Sequence, residues 1–304
     1  MIEFRGVTRS YGDTLAVRGL DLVIPSGELF AMLGHNGAGK TTTIKMLVGL
    51  LRPGAGQVLV EGRDVVSQAR EAAKQIGYVP DQPYLYEKLS GREFLQFVAE
   101  MHGMSRSEAG RAIDREISRF GLGRFADELS ESYSHGMKQR TVFAAALLHD
   151  PPVLVVDEPL VGLDPHSIRL VKDLLRERVD AGASVFMSTH TLAAAEEVAD
   201  RVGVMQQGQV IFLGTVEEMR RLHPARDMTL ERLYLTLVGG EVGGVSSREA
   251  AEQADAGSAA RPQRGAQQAS ERVAPIDSPG PLEPPNPLQP PNPVEPPSPV
   301  ENQP

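Results

Sequence analysis

Leu29-Phe30-Ala31-Met32-Leu33-Gly34-His35-Asn36-Gly37-Ala38-Gly39-Lys40-Thr41-Thr42 is the stretch on which the fold turns. Its five leading apolar residues read as a strand buried on both faces, and a helical pattern over 40–50 follows the glycine-rich loop. Strand, tight loop and helix are the context that a phosphate-binding loop requires. Its glycines let backbone N–H groups converge on phosphate oxygens. Lys40 reaches the β- and γ-phosphates, Thr41 offers a hydroxyl to magnesium, and the helix N-terminus adds a partial positive charge. Gly34, His35, Asn36, Gly37, Ala38, Gly39, Lys40, Thr41 and Thr42 are therefore candidate nucleotide contacts. The plain alternative is a strand-to-helix turn with an incidental lysine.

A second apolar run, Val153-Leu154-Val155-Val156, ends in Asp157 and Glu158. A buried parallel strand puts such acids at its C-terminal edge, where ligands bind in open α/β sheets. Asp157 then supports magnesium and Glu158 polarises an attacking water. The pair is weak evidence alone and strong evidence for hydrolysis beside Lys40.

Outward from these two units, β-like runs alternate with helical ones: 76–79, 153–157 then 167–179, and 184–188 then 192–199. The rhythm predicts an α/β fold with a mainly parallel sheet. Strands over 2–7 and 20–24 look antiparallel, because Leu20, Leu22 and Ile24 alternate with polar or exposed positions. No strand is apparent between Ser90 and His149. Phe94, Leu95, Val98, Met101 and Ile113, Ile117, Phe120 indicate a helical insertion over about 88–150. From 241 onward the composition shifts to Gly, Ser, Ala, Gln and Pro, with Pro-Pro-Asn-Pro at 284 and 290 and Pro-Pro-Ser-Pro at 296. That tail reads as a disordered, polyproline-prone spacer following a domain over 1–240.

The 304 residues are 41% hydrophobic and 23% charged, the balance of a soluble globular chain. No apolar run approaches the roughly 20 residues of a bilayer crossing, and the N-terminus carries no secretory pattern, so a cytosolic location is expected. The formal charge of −9 argues against broad nucleic-acid binding, and the absence of cysteine excludes disulfides and thiolate metal sites.

The remaining motifs carry a resemblance. Tyr133-Ser134-His135-Gly136-Met137-Lys138-Gln139-Arg140 resembles the signature, often written LSGGQ, of the ATP-binding cassette family. Pro159 to Asp164 resembles that family's D-loop, and Ser188-Thr189-His190 its switch segment. Tyr11, 23 residues ahead of Gly34, resembles the aromatic residue that stacks on adenine. The resemblance spans residues 1 to about 240. It implies a P-loop NTPase fold, an ATPase using ATP and Mg2+, and a head-to-tail homodimer. Ser134, His135, Gly136 and Asp164 would face the neighbouring subunit, and Ser134 and Gly136 would close on its ATP. His190 would contact the γ-phosphate. It also implies a separate transmembrane permease that holds this cytoplasmic subunit at the membrane. Each segment has a bland reading as well: Ser134 and Asp164 as helix N-caps, Tyr11 as a surface tyrosine, His190 as one more histidine. His35, His102, His149, His166 and His223 receive no switch role.

Two departures stand out. Where the family usually has a glutamine that senses magnesium and the transmembrane partner, this chain has Asp81, with Gln82 next to it. Asp81 is expected to take that position, and with Thr41 and Asp157 to form the metal set. In the signature, His135 replaces a glycine, so a positive φ there would be awkward. Similar substitutions, with Pro83-Tyr84-Leu85-Tyr86 and Leu89-Ser90-Gly91-Arg92-Glu93, look like those of multidrug, antibiotic and lantibiotic export subunits. The rival class is a soluble ATP-dependent module without a membrane partner.

Overall fold

The computed structural model describes residues 1–221, so the tail assigned to 241–304 lies outside the described residues. Strands β1 (Ile2–Tyr11), β2 (Thr14–Ile24), β4 (Ala55–Val60) and β5 (Arg63–Asp64) form an antiparallel sheet in the order β2-β1-β4-β5. Strands β3 (Leu29–Leu33), β6 (Ile76–Val79), β7 (Val153–Asp157), β8 (Ser184–Thr189), β9 (Arg201–Gln206) and β10 (Gln209–Gly214) form a second sheet in the order β10-β9-β3-β8-β7-β6. All its pairings are parallel except β10 against β9. The helices are α1 (Lys40–Leu47), α2 (Ala69–Ala73), α3 (Gly91–Met101), α4 (Arg106–Arg119), α5 (His135–Leu147), α6 (Pro165–Asp180), α7 (Leu192–Val198) and α8 (Val216–Arg221).

Continuous apolar strands divide their side chains between two cores. Leu29, Ala31 and Leu33 of β3, with Leu154 and Val156 of β7, pack with helices α3 to α7. Phe30, Met32, Val153 and Val155 point the other way, toward α1 and the antiparallel sheet. The period of two of an extended chain sets this partition. Phe186 of β8 joins the two sheets, its ring centroid 5.7 Å from Phe30 and 6.3 Å from Phe4.

β1 and β2 both extend further than the runs over 2–7 and 20–24, because their pairing continues to a two-residue turn where Tyr11 meets Thr14. Four strands, β4, β5, β9 and β10, lie outside the runs singled out in the sequence. The apolar part of β4 is only Val58-Leu59-Val60, and glycines at 54 and 56 make its start read as a turn. Ser90 and Ser105 cap α3 and α4 with reciprocal boxes to Glu93 and Glu108. Arg119 ties α4 to α6 through Glu177 at 3.1 Å, and Arg140 of α5 donates to the Phe120 carbonyl at 3.2 Å.

His102 follows α3 and His149 follows α5, and their rings stack with centroids 3.7 Å apart and planes at 14°. Burial favours both neutral imidazoles, and with His102 beside it takes His149 from 6.5 down to about 4. The folded value lies below the unfolded one. This contribution to stability is therefore complete above about pH 6.5 and is lost as pH falls through 4. Urea unfolding at pH 7 and pH 4 should show a component on the order of 2 kcal/mol that His149→Phe removes. An identical pH profile in the variant would contradict it.

Candidate functional site

β3 delivers the glycine-rich loop to the C-terminal edge of the parallel sheet. Gly34 and Ala38 are buried behind the loop, whereas His35, Asn36 and Gly37 are exposed. Gly39 has φ 115°, and a Cβ there would lie 2.5 Å from the Ala16 carbonyl oxygen and 2.9 Å from Met205 Cε. Only glycine fits such a position. The Gly208 N–H donates to the Ala38 carbonyl at 2.9 Å, so the β9–β10 turn braces the loop from behind. Lys40, only 6% exposed, donates from Nζ to the Gly34 carbonyl at 2.6 Å and the His35 carbonyl at 3.4 Å. Burial lowers its pKa, and the charges of Glu158 and Asp157 oppose that shift.

The acids reach the loop because β7 pairs with β8, placing Asp157 opposite Ser188. Asp157 is 3% exposed and accepts a hydrogen bond from the Ser188 hydroxyl. Burial pushes its carboxyl pKa up, and Asp81 and Glu158 add to this while Ser188 and Lys40 work against it. Glu158 adopts φ 48°, an uncommon left-handed conformation for a non-glycine residue. Its N–H donates to the Ser188 carbonyl at 3.1 Å and hydroxyl at 3.3 Å, which holds that turn. The Glu158 carboxylate bridges two groups: Oε1 lies 3.8 Å from Lys40 Nζ, and Oε2 lies 3.0 Å from His190 Nδ1. The His190 N–H also donates to Oε2 at 3.3 Å.

Around these groups a cleft of about 480 Å³ is lined by Tyr11, Ala16, His35, Asn36, Gly37, Gly39, Lys40, Thr41, Thr42, Asp81, Asp157 and Glu158. Tyr11 is the last residue of β1, beyond the strand expected over 2–7. Asp81 lines the cleft, and Gln82 is not among its lining residues.

Ser134, His135, Gly136 and Asp164 do not line this cleft. Ser134 caps α5, its hydroxyl accepting from the Met137 N–H at 3.4 Å. His135 is the first residue of α5 and takes no positive φ, so the histidine meets no backbone penalty. Its ring lies against the segment ahead of Asp164: a Cβ on Gly162, φ 73°, would sit 3.2 Å from His135 Cδ2 and Nε2. Asp164 caps α6 with Pro165 at the first position, accepting from the His166 and Ser167 N–H groups at 3.0 and 3.1 Å.

Three contributors escaped the motif reading. Ala16 reaches the cleft from β2, the Ser188 hydroxyl orients Asp157, and Met205 backs Gly39. Ala16 and Met205 are ordinary apolar strand residues in sequence and carry no signal of their place. Ser188 lay within a segment already singled out, but its partner depended on strand register.

A strand, glycine-rich loop and helix facing acids at the end of a parallel strand two places away in the sheet define a P-loop NTPase. The family model described as ABC transporter matches residues 17–161. The daunorubicin/doxorubicin resistance ATP-binding protein DrrA of Streptomyces peucetius is 39% identical over 249 residues, covering 78% of this chain and 76% of that one. The Nod factor export ATP-binding protein I of Burkholderia orbicola is 41% identical over 214 residues, with 70% of each chain covered. A dimeric ATP-binding cassette in a post-hydrolysis state, bound to ADP and Pi, superposes with a TM-score of 0.63 at 25% identity, covering 71% of this chain and 99% of that one. The chain belongs to the ABC transporter family, as an ATP-binding subunit that hydrolyses ATP. No helix among the described residues is long and apolar enough to cross a membrane.

Proposed function

We propose that this subunit binds MgATP at the Lys40 cleft, closes as a head-to-tail homodimer, and drives export through a separate transmembrane partner. The domain over 1–240 would act as the motor, with the helices inserted over about 88–150 as its partner-facing part and the tail as a spacer.

The observation that carries the chemistry is the Glu158 carboxylate held between Lys40 and His190 at the mouth of the phosphate loop. Lys40, its burial already relieved by loop carbonyls, supplies the charge that receives the terminal phosphates. Glu158 orients the attacking water and accepts its proton, and His190 steadies the carboxylate and the γ-phosphate. Magnesium fits the donor set: Asp81 and Glu158 both raise the pKa of buried Asp157, a crowding of carboxylates that a cation relieves. Thr41, Asp157 and Asp81 would hold it, directly or through water. When bound, it neutralises charge on the phosphates.

Homodimer closure is supported by what the cleft lacks. The Ser134-capped start of α5, with Gly136 and with no acid in its first turn, is an anion-receptive helix end outside the cleft lining. A second copy brings Ser134, Gly136 and Asp164 to the nucleotide. Likeness to a dimeric cassette bound to ADP and Pi supports this arrangement.

For the membrane partner, the supporting feature is an apolar groove of about 410 Å³ between β6, α3 and α5, lined by Tyr78, Tyr84, Phe94, Val98 and Val142 among others. Tyr84 at its rim is 72% exposed. Likeness to export and drug-resistance subunits gives the direction. A mild-detergent pull-down of the full chain should recover an integral membrane protein, and Val98→Asp in the groove should release it. Recovery of ribosomes in its place would favour the soluble module.

Asp81 should act as the coupling residue. Asp81→Ala is expected to raise the magnesium needed for half-maximal hydrolysis by about tenfold and to weaken stimulation by the partner, a loss of roughly 1.4 kcal/mol. Gln82→Ala should leave both unchanged. A magnesium titration with the reverse outcome would transfer the role to Gln82.

A further inference from the structure

We propose that Arg9 is the positioning residue for the nucleobase, covering one face of the Tyr11 ring so that the other face is presented as a fixed stacking platform. The proposal rests on the reading of Tyr11 as the base contact and adds the group that makes that contact work.

Tyr11 is poorly placed to hold a base unaided. It is the last paired residue of β1, opposite Thr14 across a turn in which Gly12 has φ 54°, and its side chain is 48% exposed. A ring at a hairpin tip samples several rotamers, and fixing it on binding costs affinity. Arg9 stands two residues earlier on the same strand. Its Cζ lies 5.3 Å from the Tyr11 ring centroid, within the range of a cation–π contact.

The guanidinium is itself held. Nη1 donates to the Arg52 carbonyl at 3.1 Å, in the segment that follows α1, and the neighbouring Thr8 carbonyl accepts from the Gly54 N–H at 2.8 Å. Nε is buried and has no acceptor among the described residues. Hydrogen bonding therefore accounts for only one corner of the group, and the Tyr11 ring is the other contact beside it. Since Tyr11 also lines the cleft beside Ala16, with the phosphate loop beyond, one face is left for a purine. The stack then runs from guanidinium to phenol to base.

The consequence is specific to the base. Removing Arg9 loosens the platform and leaves the phosphate loop, Lys40 and the acids as they were. The full chain should be assayed for KM and kcat with MgATP, and for inhibition by magnesium tripolyphosphate, which has phosphates and no base. Arg9→Ala and Arg9→Met should each raise KM for ATP by about three- to tenfold with kcat kept, the range expected when one side chain loses its preorganisation. Arg9→Lys should restore most of the affinity, and tripolyphosphate inhibition should be the same in all four proteins. Tyr11→Ala serves as the control for the underlying reading. If Tyr11→Ala raises KM for ATP and the Arg9 variants do not, Arg9 has no positioning role and the Tyr11 reading stands. If Tyr11→Ala leaves KM unchanged, the base platform itself is wrong and the proposal falls with it. Equal weakening of ATP and tripolyphosphate in Arg9→Ala would also overturn it, as a general disturbance of the fold.

Discussion

Glu158→Gln should lower ATP turnover by about 10²- to 10⁴-fold while ATP affinity stays close to that of the parent protein. The substitution keeps the shape of the side chain and its hydrogen bond from the His190 N–H, and removes the charge that orients water and takes its proton. Residue 158 keeps its turn, because the backbone N–H is held by Ser188 independently of the side chain. Removing one carboxylate also reduces the repulsion felt by Asp157, so binding should not suffer. With hydrolysis blocked and nucleotide retained, the closed homodimer should accumulate. Phosphate release and size-exclusion chromatography in ATP check the two halves separately. Turnover equal to that of the parent would remove Glu158 from the mechanism, and a strictly monomeric ATP-loaded variant would remove the dimer.

Lys40→Ala is expected to be as damaging, by a different route. It should reduce ATP binding itself, by about 100-fold or more, since two charge-assisted hydrogen bonds to phosphate contribute about 1.5–3 kcal/mol each. Turnover is lost as a consequence. Calorimetric titration with ATP distinguishes the two cases: Glu158→Gln binds and does not turn over, whereas Lys40→Ala does not bind. Lys40→Arg should fail to rescue, because the ammonium occupies a nearly closed site between two loop carbonyls that a forked guanidinium does not match. ATP affinity within threefold of the parent in Lys40→Ala would show that loop N–H groups suffice.

Much of the architecture was legible because the decisive units are local. An apolar strand, its glycine-rich loop and the next helix are contiguous, so residues 29–47 carry their own instructions. The same holds for β7 and its terminal acids, and for the caps at Ser134 and Asp164, whose partners lie two or three residues away. β9 and β10 were not legible. β9 is a strand because β3, distant in the sequence, offers it an edge, and such pairing leaves no local trace; β10 then folds back on β9 through the two-residue turn Gln207-Gly208. The signature was legible as a segment, yet whether His135 would be strained there depended on whether it lay in the loop or in α5.

The amino-acid sequence by itself determined the local units of this subunit: the glycine-rich loop proposed to meet phosphate, the acids that end β7, and the order in which the motifs run. Tertiary structure alone decided their relations. Strand register set Asp157 against Ser188, the turn at Glu158 aimed one carboxylate at both Lys40 and His190, and the cleft took Asp81 rather than Gln82. The division has a physical cause. Backbone conformation and hydrogen bonds between near neighbours follow from the side chains within a few positions. A distance between groups on different strands, tens to more than a hundred residues apart, follows from how sheets and helices pack, and that is a property of the whole core.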